Sequence, residues 1–245
     1  MRVQFLGTVG YHPTERRHTT SLLVPELGVA FDAGTGFFRV PPLMVGRHLD
    51  VFITHAHLDH ISGLTYLLVP LARKELAGVT VHVREPYLTA IREHLFSDLV
   101  FPILPDCEFR ELTGPVELAN GWRVTFQPLA RHPGGSTGYR LDGPGGSFAF
   151  ITDVTADDSY LEFIRGASLL VHECNFDNAR AQWSEPTGHS HVDLVTDVAR
   201  RAGVGKLVLT HFDPLLPDEM PVELDAARRV FRATELARDL MEYEW

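Results

Sequence analysis

Apolar residues in this chain fall into two kinds of short run, which alternate along the sequence. Compact runs rich in Val, Ile, Leu and Phe predict β-strands, and they cover residues 3–7, 21–25, 29–33, 51–54, 80–83, 122–129, 137–141, 148–152, 169–172 and 207–210. Segments whose apolar residues recur three and four positions apart predict helices at residues 61–74, 87–95, 159–166, 191–202 and 222–243. Strands that alternate with helices in this way predict an α/β fold.

Length and composition are typical of one compact enzyme domain. The 245 residues are 44% hydrophobic, which is enough to bury a large core without disulfide bonds. Cys107 and Cys174 are too few for a disulfide framework, so we expect both to be buried and the protein to be cytoplasmic. No apolar run approaches the roughly 18 residues of a membrane span, so we expect neither a span nor a signal peptide.

The densest chemical signal is the run 54–60, Thr-His-Ala-His-Leu-Asp-His, which directly follows apolar residues 49–53. Alternate side chains of a strand share a face, so His55 and His57 should point the same way. Asp59 and His60 should follow on the first turn of a helix and face the same region. Imidazole and carboxylate ligands suit zinc, and also manganese or iron, better than calcium or magnesium.

Three later apolar runs also end in a metal-binding side chain: His132, Asp153 and His211. Ligands at strand ends are held rigidly and aimed at one rim. Together with the first cluster they make five histidines and two aspartates. This set is too large for one tetrahedral zinc ion but suits two ions that share a bridging carboxylate.

The order of these motifs resembles that of the metallo-β-lactamase-fold hydrolases, and the resemblance covers nearly the whole chain. It implies an αββα four-layer sandwich of two stacked mixed sheets with helices outside. It also implies a single domain, residues 1–245, whose two similar halves meet near Gly114.

The resemblance also assigns the ligands to two divalent metal ions, with Zn²⁺ first and Mn²⁺ or Fe as alternatives. One ion would be held by His55, His57 and His132, the other by Asp59, His60 and His211, with Asp153 as the bridge.

Two further segments resemble those of phosphodiesterases such as ribonuclease Z. The Gly-His-Ser turn at 188–190 implies that His189 protonates the leaving oxygen, although a histidine that only packs at the turn is the alternative. The His-Glu run at 172–173 implies that Glu173 orients His189, while His172 is expected in the core. The predicted catalytic residues are therefore Asp59, His189 and Glu173.

Two supporting contacts are expected around these residues. Asp32 should accept a hydrogen bond from a ligand histidine, or else cap its own turn. Ser190 and Asp193 should form a capping box at the start of the helix 191–202, with His191 as a solvated residue of its first turn.

The substrate is predicted from charge and from a missing insertion. A net charge of −10 disfavours a nucleic-acid polymer as the partner. Ribonuclease Z carries a long arm after a Gly-Tyr-Arg/Lys strand, whereas residues 138–146 here predict a tight turn into the next strand. We therefore expect the armless branch, which hydrolyses small anionic phosphodiesters such as cyclic nucleotides or cyclic sugar phosphates.

In that branch a hydroxide between the two metals attacks phosphorus, with His189 as the general acid. The alternatives are a ribonuclease Z-like endoribonuclease for transfer-RNA 3′ ends and a thioester or lactone hydrolase of the glyoxalase II type. A homodimer is a further expectation from the resemblance, with the loop 11–18 at the border of a partner's site.

Overall fold

The computed structural model describes residues 1–217 and 219–245, and these form two compact units. The first unit contains Met1–Thr113 and Asp239–Glu244, and the second contains Gly114–Arg238 and Trp245. Each unit has one mixed sheet of seven strands with helical segments beside it. The predicted α/β class with two mixed sheets is confirmed.

The strands are numbered in chain order. They are β1 Arg2–Gly7, β2 Ser21–Val24, β3 Val29–Phe31, β4 His48–Phe52, β5 Gly78–Val83, β6 Glu108–Glu111, β7 Val116–Glu117, β8 Arg123–Leu129, β9 Ser136–Gly143, β10 Gly146–Ile151, β11 Leu169–Glu173, β12 Lys206–Thr210, β13 Thr234–Leu236 and β14 Glu242–Glu244.

The helices are mostly short. They are α1 Val40–Leu43, α2 Leu58–Ile61, α3 Leu68–Ala72, α4 Tyr87–Ala90, α5 Leu161–Ile164, α6 Ser184–Thr187, α7 Val192–Ala202 and α8 Leu224–Val230. Segments of 3₁₀-helix lie at Phe37–Arg39, Ser62–Leu67, Ala119–Gly121, Asp158–Tyr160 and Asn178–Trp183, and a π-helical turn lies at Ile91–Leu95. None of the described helices has the length and apolar composition needed to cross a bilayer.

The two sheets have the same pattern of strand directions. The first has the order β14-β1-β2-β3-β4-β5-β6, antiparallel from β14 to β3 and parallel from β3 to β6. The second has the order β13-β12-β11-β10-β9-β8-β7, parallel from β13 to β10 and antiparallel from β10 to β7. In each unit, therefore, the carboxyl ends of neighbouring parallel strands lie at one edge of the sheet.

The core of the first unit fixes the segment that carries the histidine motif. Leu49 and Val51 of β4, and Ile53 just after it, belong to one buried cluster with Ile61 and Leu64 of the following helical segment. Burial of each such side chain contributes about 1.5–3 kcal/mol. Because both ends of the segment 54–60 are anchored in this core, its path from strand to helix is determined.

The core of the second unit includes the buried stripe of α7. Val192, Val195, Val198, Ala199 and Ala202 lie on its buried side, and α7 packs against β11, α5 and α8. The spacing of three and four residues that predicts this helix is thus the spacing of its core contacts.

The predicted helix 222–243 is wrong. Only α8, Leu224–Val230, is helical, and the chain then supplies two edge strands, β13 paired with β12 and β14 paired with β1. In β14 the buried Tyr243 lies between the exposed Glu242 and Glu244, which is the alternation of a strand. Pairing with strands that are distant in sequence has overridden the local helical pattern.

Smaller differences concern helix continuity, edge strands and cysteines. The predicted helices 61–74, 87–95 and 159–166 are each divided between α-helical and 3₁₀- or π-helical turns. The edge strands β6 and β7 escape prediction because most of their side chains are exposed and polar. Cys174 is buried as expected, whereas Cys107 is half-buried, and its burial raises its pKa to about 11.

The turn between β9 and β10 is tight, as predicted. Gly143 pairs with Gly146, so Pro144 and Gly145 form the turn. A Cβ atom built on Gly143 would lie far inside the contact distance of the Trp122 ring, so the indole packs directly on this glycine. The hairpin therefore passes from one strand to the next without an insertion.

We predict that Gly143→Ala destabilises the protein, by about 1–3 kcal/mol in the free energy of unfolding, because the added methyl group overpacks the Trp122 ring. Gly145→Ala in the same turn is the matched control, since its Cβ would lie at an ordinary 3.9 Å from the indole. Urea unfolding followed by tryptophan fluorescence measures both. Equal midpoints for the two variants would contradict this account of the hairpin.

Candidate functional site

In the first unit, the segment 54–60 brings four predicted ligands together. The chain leaves β4, and α2 then begins with His57 as its N-cap. The ring centroid of His55 lies 4.4 Å from that of His57 and 4.3 Å from that of His60. His60 Nε2 lies 3.3 Å from Asp59 Oδ2. His55 and His60 are buried, whereas His57 is exposed, so the cluster opens on its His57 side.

Asp32 is connected to this cluster by hydrogen bonds. Its Oδ1 accepts a hydrogen bond from the Thr54 backbone N–H (2.8 Å), and its Oδ2 accepts from Thr54 Oγ1 (2.9 Å) and His60 Nδ1 (2.8 Å). Thr54 Oγ1 in turn accepts from His55 Nδ1 (3.0 Å). Asp32 therefore bonds to His60, one of the predicted ligands, and the hydrogen bonds continue through Thr54 to His55.

These contacts set the tautomers of both imidazoles. A carboxylate only accepts hydrogen bonds, so Nδ1 of His60 is the donor. Thr54 Oγ1 donates to Asp32 and so accepts from Nδ1 of His55. In both rings the lone pair lies on Nε2, the state that a metal ligand requires. Burial raises the pKa of Asp32, and the charge of His60 with the hydrogen bonds from His60 and Thr54 opposes that rise.

A loop near the start of the chain also reaches this cluster. The backbone N–H of Tyr11 donates to Asp59 Oδ2 at 2.8 Å. One oxygen of Asp59 is therefore held by the chain itself, which orients the carboxylate.

In the second unit, Asp153 lies between two predicted ligands. Its Oδ2 is 3.6 Å from His132 Nε2, and its Oδ1 is 3.3 Å from His211 Nε2. Thr152 Oγ1 donates to the same Oδ1 at 2.7 Å. Asp153 therefore presents one carboxylate oxygen to each of the two imidazoles.

His132 has its tautomer set by the backbone. Its Nδ1 lies 3.0 Å from the Gly188 carbonyl oxygen, which only accepts, so Nε2 carries the lone pair. Gly188 ends α6 with a φ of 71°, and a Cβ there would lie 2.7 Å from His132 Cα. Glycine is thus required at the turn, both for the backbone conformation and for the close approach to His132.

His189 lies next to the predicted ligands of the second unit and is held by Glu173. One ligand atom from each of Asp153, His189 and His211 falls within 4.8 Å of the others. His189 Nδ1 donates to Glu173 Oε1 at 3.0 Å. The His189 side chain is 17% exposed while that of Glu173 is fully buried, so the imidazole reaches solvent and its partner does not.

Glu173 is surrounded by donors. Its Oε1 also accepts from the Val154 N–H (2.9 Å), and its Oε2 accepts from the N–H groups of Asn175 (3.2 Å) and Ser190 (3.1 Å). Burial opposes ionisation, but the charge and the hydrogen bond of His189 outweigh it and hold the pKa of Glu173 below its usual value. The buried carboxylate is therefore an anion that orients the His189 ring.

The predicted capping box at the start of α7 is wrong. The N-cap is His191, and Asp193 exchanges hydrogen bonds with Asn178. Ser190 instead donates from Oγ to the Val154 carbonyl (2.6 Å) and accepts from the Ala156 N–H (2.9 Å). These two hydrogen bonds of Ser190 connect the turn that carries His189 to the segment after β10.

The two remaining histidines near this turn have structural contacts. His191 is half-buried rather than solvated, and its Nδ1 lies 2.9 Å from Ser184 Oγ. His172 is fully buried, and its Nε2 lies 2.7 Å from the Tyr160 hydroxyl. Burial lowers the pKa of His172, so the neutral ring packs in the core as expected.

A buried threonine directly precedes three of the four predicted ligands at strand ends, His132 being the exception. Thr54, Thr152 and Thr210 immediately precede His55, Asp153 and His211, and all three threonines are fully buried. The hydroxyls of Thr54 and Thr152 bond directly to the neighbouring ligands. The repeated apolar-apolar-Thr-ligand pattern could have marked these positions from the sequence alone.

Backbone conformation is a second missed signal. Asp32, Asp153 and His211 have φ values of 59°, 52° and 55°, in the left-handed region that non-glycine residues rarely adopt. Asp32 and His211 directly follow β3 and β12, and Asp153 lies two residues after the last residue of β10. Strained residues of this kind cluster at functional sites.

The donors fit divalent transition metals. His55, His60 and His132 each donate from Nδ1 and present Nε2, and Asp59 and Asp153 provide carboxylate oxygens beside imidazole nitrogens. Neutral imidazoles with carboxylates suit zinc, manganese and iron.

Comparison with known proteins identifies the family. Residues 29–212 match the family model described as a beta-lactamase superfamily domain. Ribonuclease Z of Synechococcus sp. (strain CC9605) is 30% identical over 312 aligned positions, which cover 100% of this chain and 98% of that protein. The alignment is 67 positions longer than the 245 residues of this chain, so the relative has sequence without a counterpart here.

Two solved structures show the same fold over the whole chain. The metallo-beta-lactamase fold protein YhfI from Bacillus subtilis superposes with a TM-score of 0.83 at 18% identity, covering 100% of this chain and 98% of that one. The short form of human tRNase Z superposes with a TM-score of 0.74 at 21% identity, covering 100% and 99%. The predicted αββα fold is thereby confirmed. The chain belongs to the beta-lactamase superfamily and is a hydrolase of the metallo-β-lactamase fold.

Proposed function

We propose that this hydrolase is a dinuclear metal-dependent phosphodiesterase for small cyclic phosphodiesters, either cyclic nucleotides or cyclic sugar phosphates. The observation that supports it best is the pair formed by His189 and Glu173. A buried anionic carboxylate holds an imidazole that is partly open to solvent and lies beside Asp153 and His211. That arrangement suits delivery of a proton to a basic leaving oxygen.

The metal ligands are proposed on the family resemblance and on the donor chemistry of each unit. One divalent ion would be held by His55, His57 and His132, a second by Asp59, His60 and His211, and Asp153 would bridge them. When bound, such ions acidify a water molecule and neutralise charge on the phosphate oxygens. Zn²⁺ is the proposed metal, with Mn²⁺ or Fe as the alternatives.

The chain's own residues then have distinct roles. The ionised Glu173 stabilises the charged form of His189, and Nε2 of His189 donates its proton to the departing alkoxide. Asp59 is proposed as both a ligand and a catalytic carboxylate, whose orientation is supported by the Tyr11 N–H. Asp32 and Thr54 keep Nε2 of His55 and His60 in the lone-pair form.

The choice of a small substrate is supported by size and charge. The hairpin from β9 to β10 turns on two residues and carries no arm, and the net charge of −10 provides little attraction for a polyanion. Two bound cations would make the site itself attractive to a single phosphate.

Processing of transfer-RNA 3′ ends is the second candidate, and the relatives favour it. The Synechococcus protein named ribonuclease Z aligns with this chain over 98% of its own length. Thioester hydrolysis has less support, because a thiol with a pKa of about 8.5 leaves as an anion without a general acid. A positioned proton donor such as His189 assists the departure of an alkoxide more than that of a thiolate.

We also propose that the protein forms a homodimer and that it functions in a reducing cytoplasm. The two free cysteines agree with that compartment. Light scattering on the purified protein would measure the oligomeric state directly.

We predict that the purified protein contains close to two transition-metal ions per chain and that Asp153→Asn lowers both metal content and activity, because the variant loses the bridging charge. Asp142→Asn, on the exposed hairpin, is the matched control. Elemental analysis and hydrolysis of bis(4-nitrophenyl) phosphate, with and without chelator, test this. Full activity in metal-free protein would refute the metal mechanism.

We predict that His189→Ala lowers kcat on a cyclic nucleotide by about 10²- to 10⁴-fold, the usual contribution of a positioned acid. The loss should be much smaller on bis(4-nitrophenyl) phosphate, because nitrophenolate leaves without protonation. His94→Ala, at an exposed position, is the control and should leave both rates unchanged. An equal loss on both substrates would remove His189 from the role of general acid.

We predict that the protein hydrolyses cyclic nucleotides or cyclic ribose phosphate with a higher kcat/KM than a transfer-RNA precursor with a 3′ trailer, because no arm grips the polymer. A panel of 2′,3′- and 3′,5′-cyclic nucleotides, cyclic ribose phosphate and the precursor compares them in one assay. A preference for the precursor would favour the second candidate instead.

A further inference from the structure

Tyr11 combines an exposed ring, a left-handed backbone and a hydrogen bond to a proposed metal ligand. Its side chain is 82% exposed, its φ is 60°, and its backbone N–H donates to Asp59 Oδ2 at 2.8 Å. Tyr11 thus exposes an aromatic ring to solvent while its backbone bonds directly to a proposed metal ligand.

The loop that carries Tyr11 is closed at its base. The N–H groups of Thr8 and Val9 both donate to the His18 carbonyl, at 2.8 and 3.1 Å. The buried Arg17 guanidinium donates to Thr8 Oγ1 at 2.8 Å, and Thr14 Oγ1 accepts from the Arg17 N–H. These hydrogen bonds therefore hold the loop, and Tyr11 with it, in a defined position.

The Tyr11 side chain makes few contacts with the protein that would offset the strain of its backbone. A left-handed φ is unfavourable for tyrosine and natural for glycine. The ring makes an edge contact with His12, at 5.0 Å between centroids and 62° between planes, and stays largely in water. The hydrogen bond to Asp59 comes from the backbone and needs no side chain. The ring is therefore exposed to solvent on a residue whose backbone is fixed to Asp59.

We infer that Tyr11 is a specificity-determining residue whose ring stacks on a planar ring of the substrate, and that this ring is a nucleobase. The inference rests on the proposed function, since a nucleotide held by its phosphate beside Asp59 carries its base within one sugar of that phosphate. Every base presents a π-face, so an exposed aromatic side chain recognises the base class without a hydrogen-bonding code. Tyr11 thus selects cyclic nucleotides over cyclic sugar phosphates.

The test compares two substrates that differ only in the base: adenosine 2′,3′-cyclic phosphate and ribose 2,3-cyclic phosphate. In Tyr11→Ala the ratio of their kcat/KM values should fall about tenfold or more, the effect of losing one stacked base. Tyr11→Phe and Tyr11→Trp should keep the ratio. Tyr66→Ala, at another exposed tyrosine of the first unit, is the matched control. An unchanged ratio in Tyr11→Ala would overturn the inference.

A second variant separates recognition from folding. Tyr11→Gly should raise the melting temperature, because it relieves the left-handed strain, while it lowers the substrate ratio as Tyr11→Ala does. A wild-type substrate ratio in Tyr11→Gly would contradict the recognition role, whatever the change in melting temperature.

A binding experiment tests the role of Tyr11 independently of whether the protein hydrolyses cyclic phosphodiesters. Calorimetry on the metal-loaded protein compares adenosine 5′-monophosphate with ribose 5-phosphate in wild type and Tyr11→Ala. If wild type hydrolyses neither cyclic substrate, the proposed function fails, but a preference for the adenine ligand that is lost in Tyr11→Ala would still support stacking. No preference in wild type would refute the role of Tyr11, whatever the outcome for hydrolysis.

Discussion

Two buried carboxylates, one in each unit, orient one histidine each. Asp32 accepts from His60 Nδ1, and Glu173 accepts from His189 Nδ1. Each also accepts a backbone N–H from the segment just after a neighbouring strand, Thr54 for Asp32 and Val154 for Glu173. A buried carboxylate is costly unless it is satisfied, so these hydrogen bonds stabilise the strand ends and the ring orientations together. Without them neither imidazole would have a fixed tautomer.

Much of the fold and the chemistry follows from sequence patterns that are local. Nearly every buried strand is visible as a short apolar run because both of its faces are covered. The predicted ligands are also visible, since imidazoles and carboxylates are costly to bury at strand ends unless they have a partner to bind. By contrast, β13 and β14 are hidden within the predicted helix 222–243, because their partners β12 and β1 lie far away in sequence. The sequence places Ser190 in a helix cap for the same reason: its real partners, Val154 and Ala156, are more than thirty positions away.

The strand-end residues with positive φ show how the fold and the site are coupled. Asp32, Asp153 and His211 all adopt the left-handed conformation just where a buried strand stops. Such conformations are unfavourable for these residue types by roughly 1–3 kcal/mol each, and the packed strands before them supply the stability that maintains them. The strained residues therefore depend on the packed strands before them, and the periodicity of the sequence alone does not reveal this dependence.

The position of β14 has a consequence for how the protein emerges from the ribosome. Strand β1 is bordered by β2 on one side and by β14 on the other, and Arg2 contacts Glu242 across a separation of 240 residues. During translation the first sheet must wait, with one flank of β1 uncovered, until residues 242–244 have been synthesised. An uncovered strand edge is a template for pairing with other chains. The nascent first unit therefore presents the edge of β1 to other chains until β14 pairs with it.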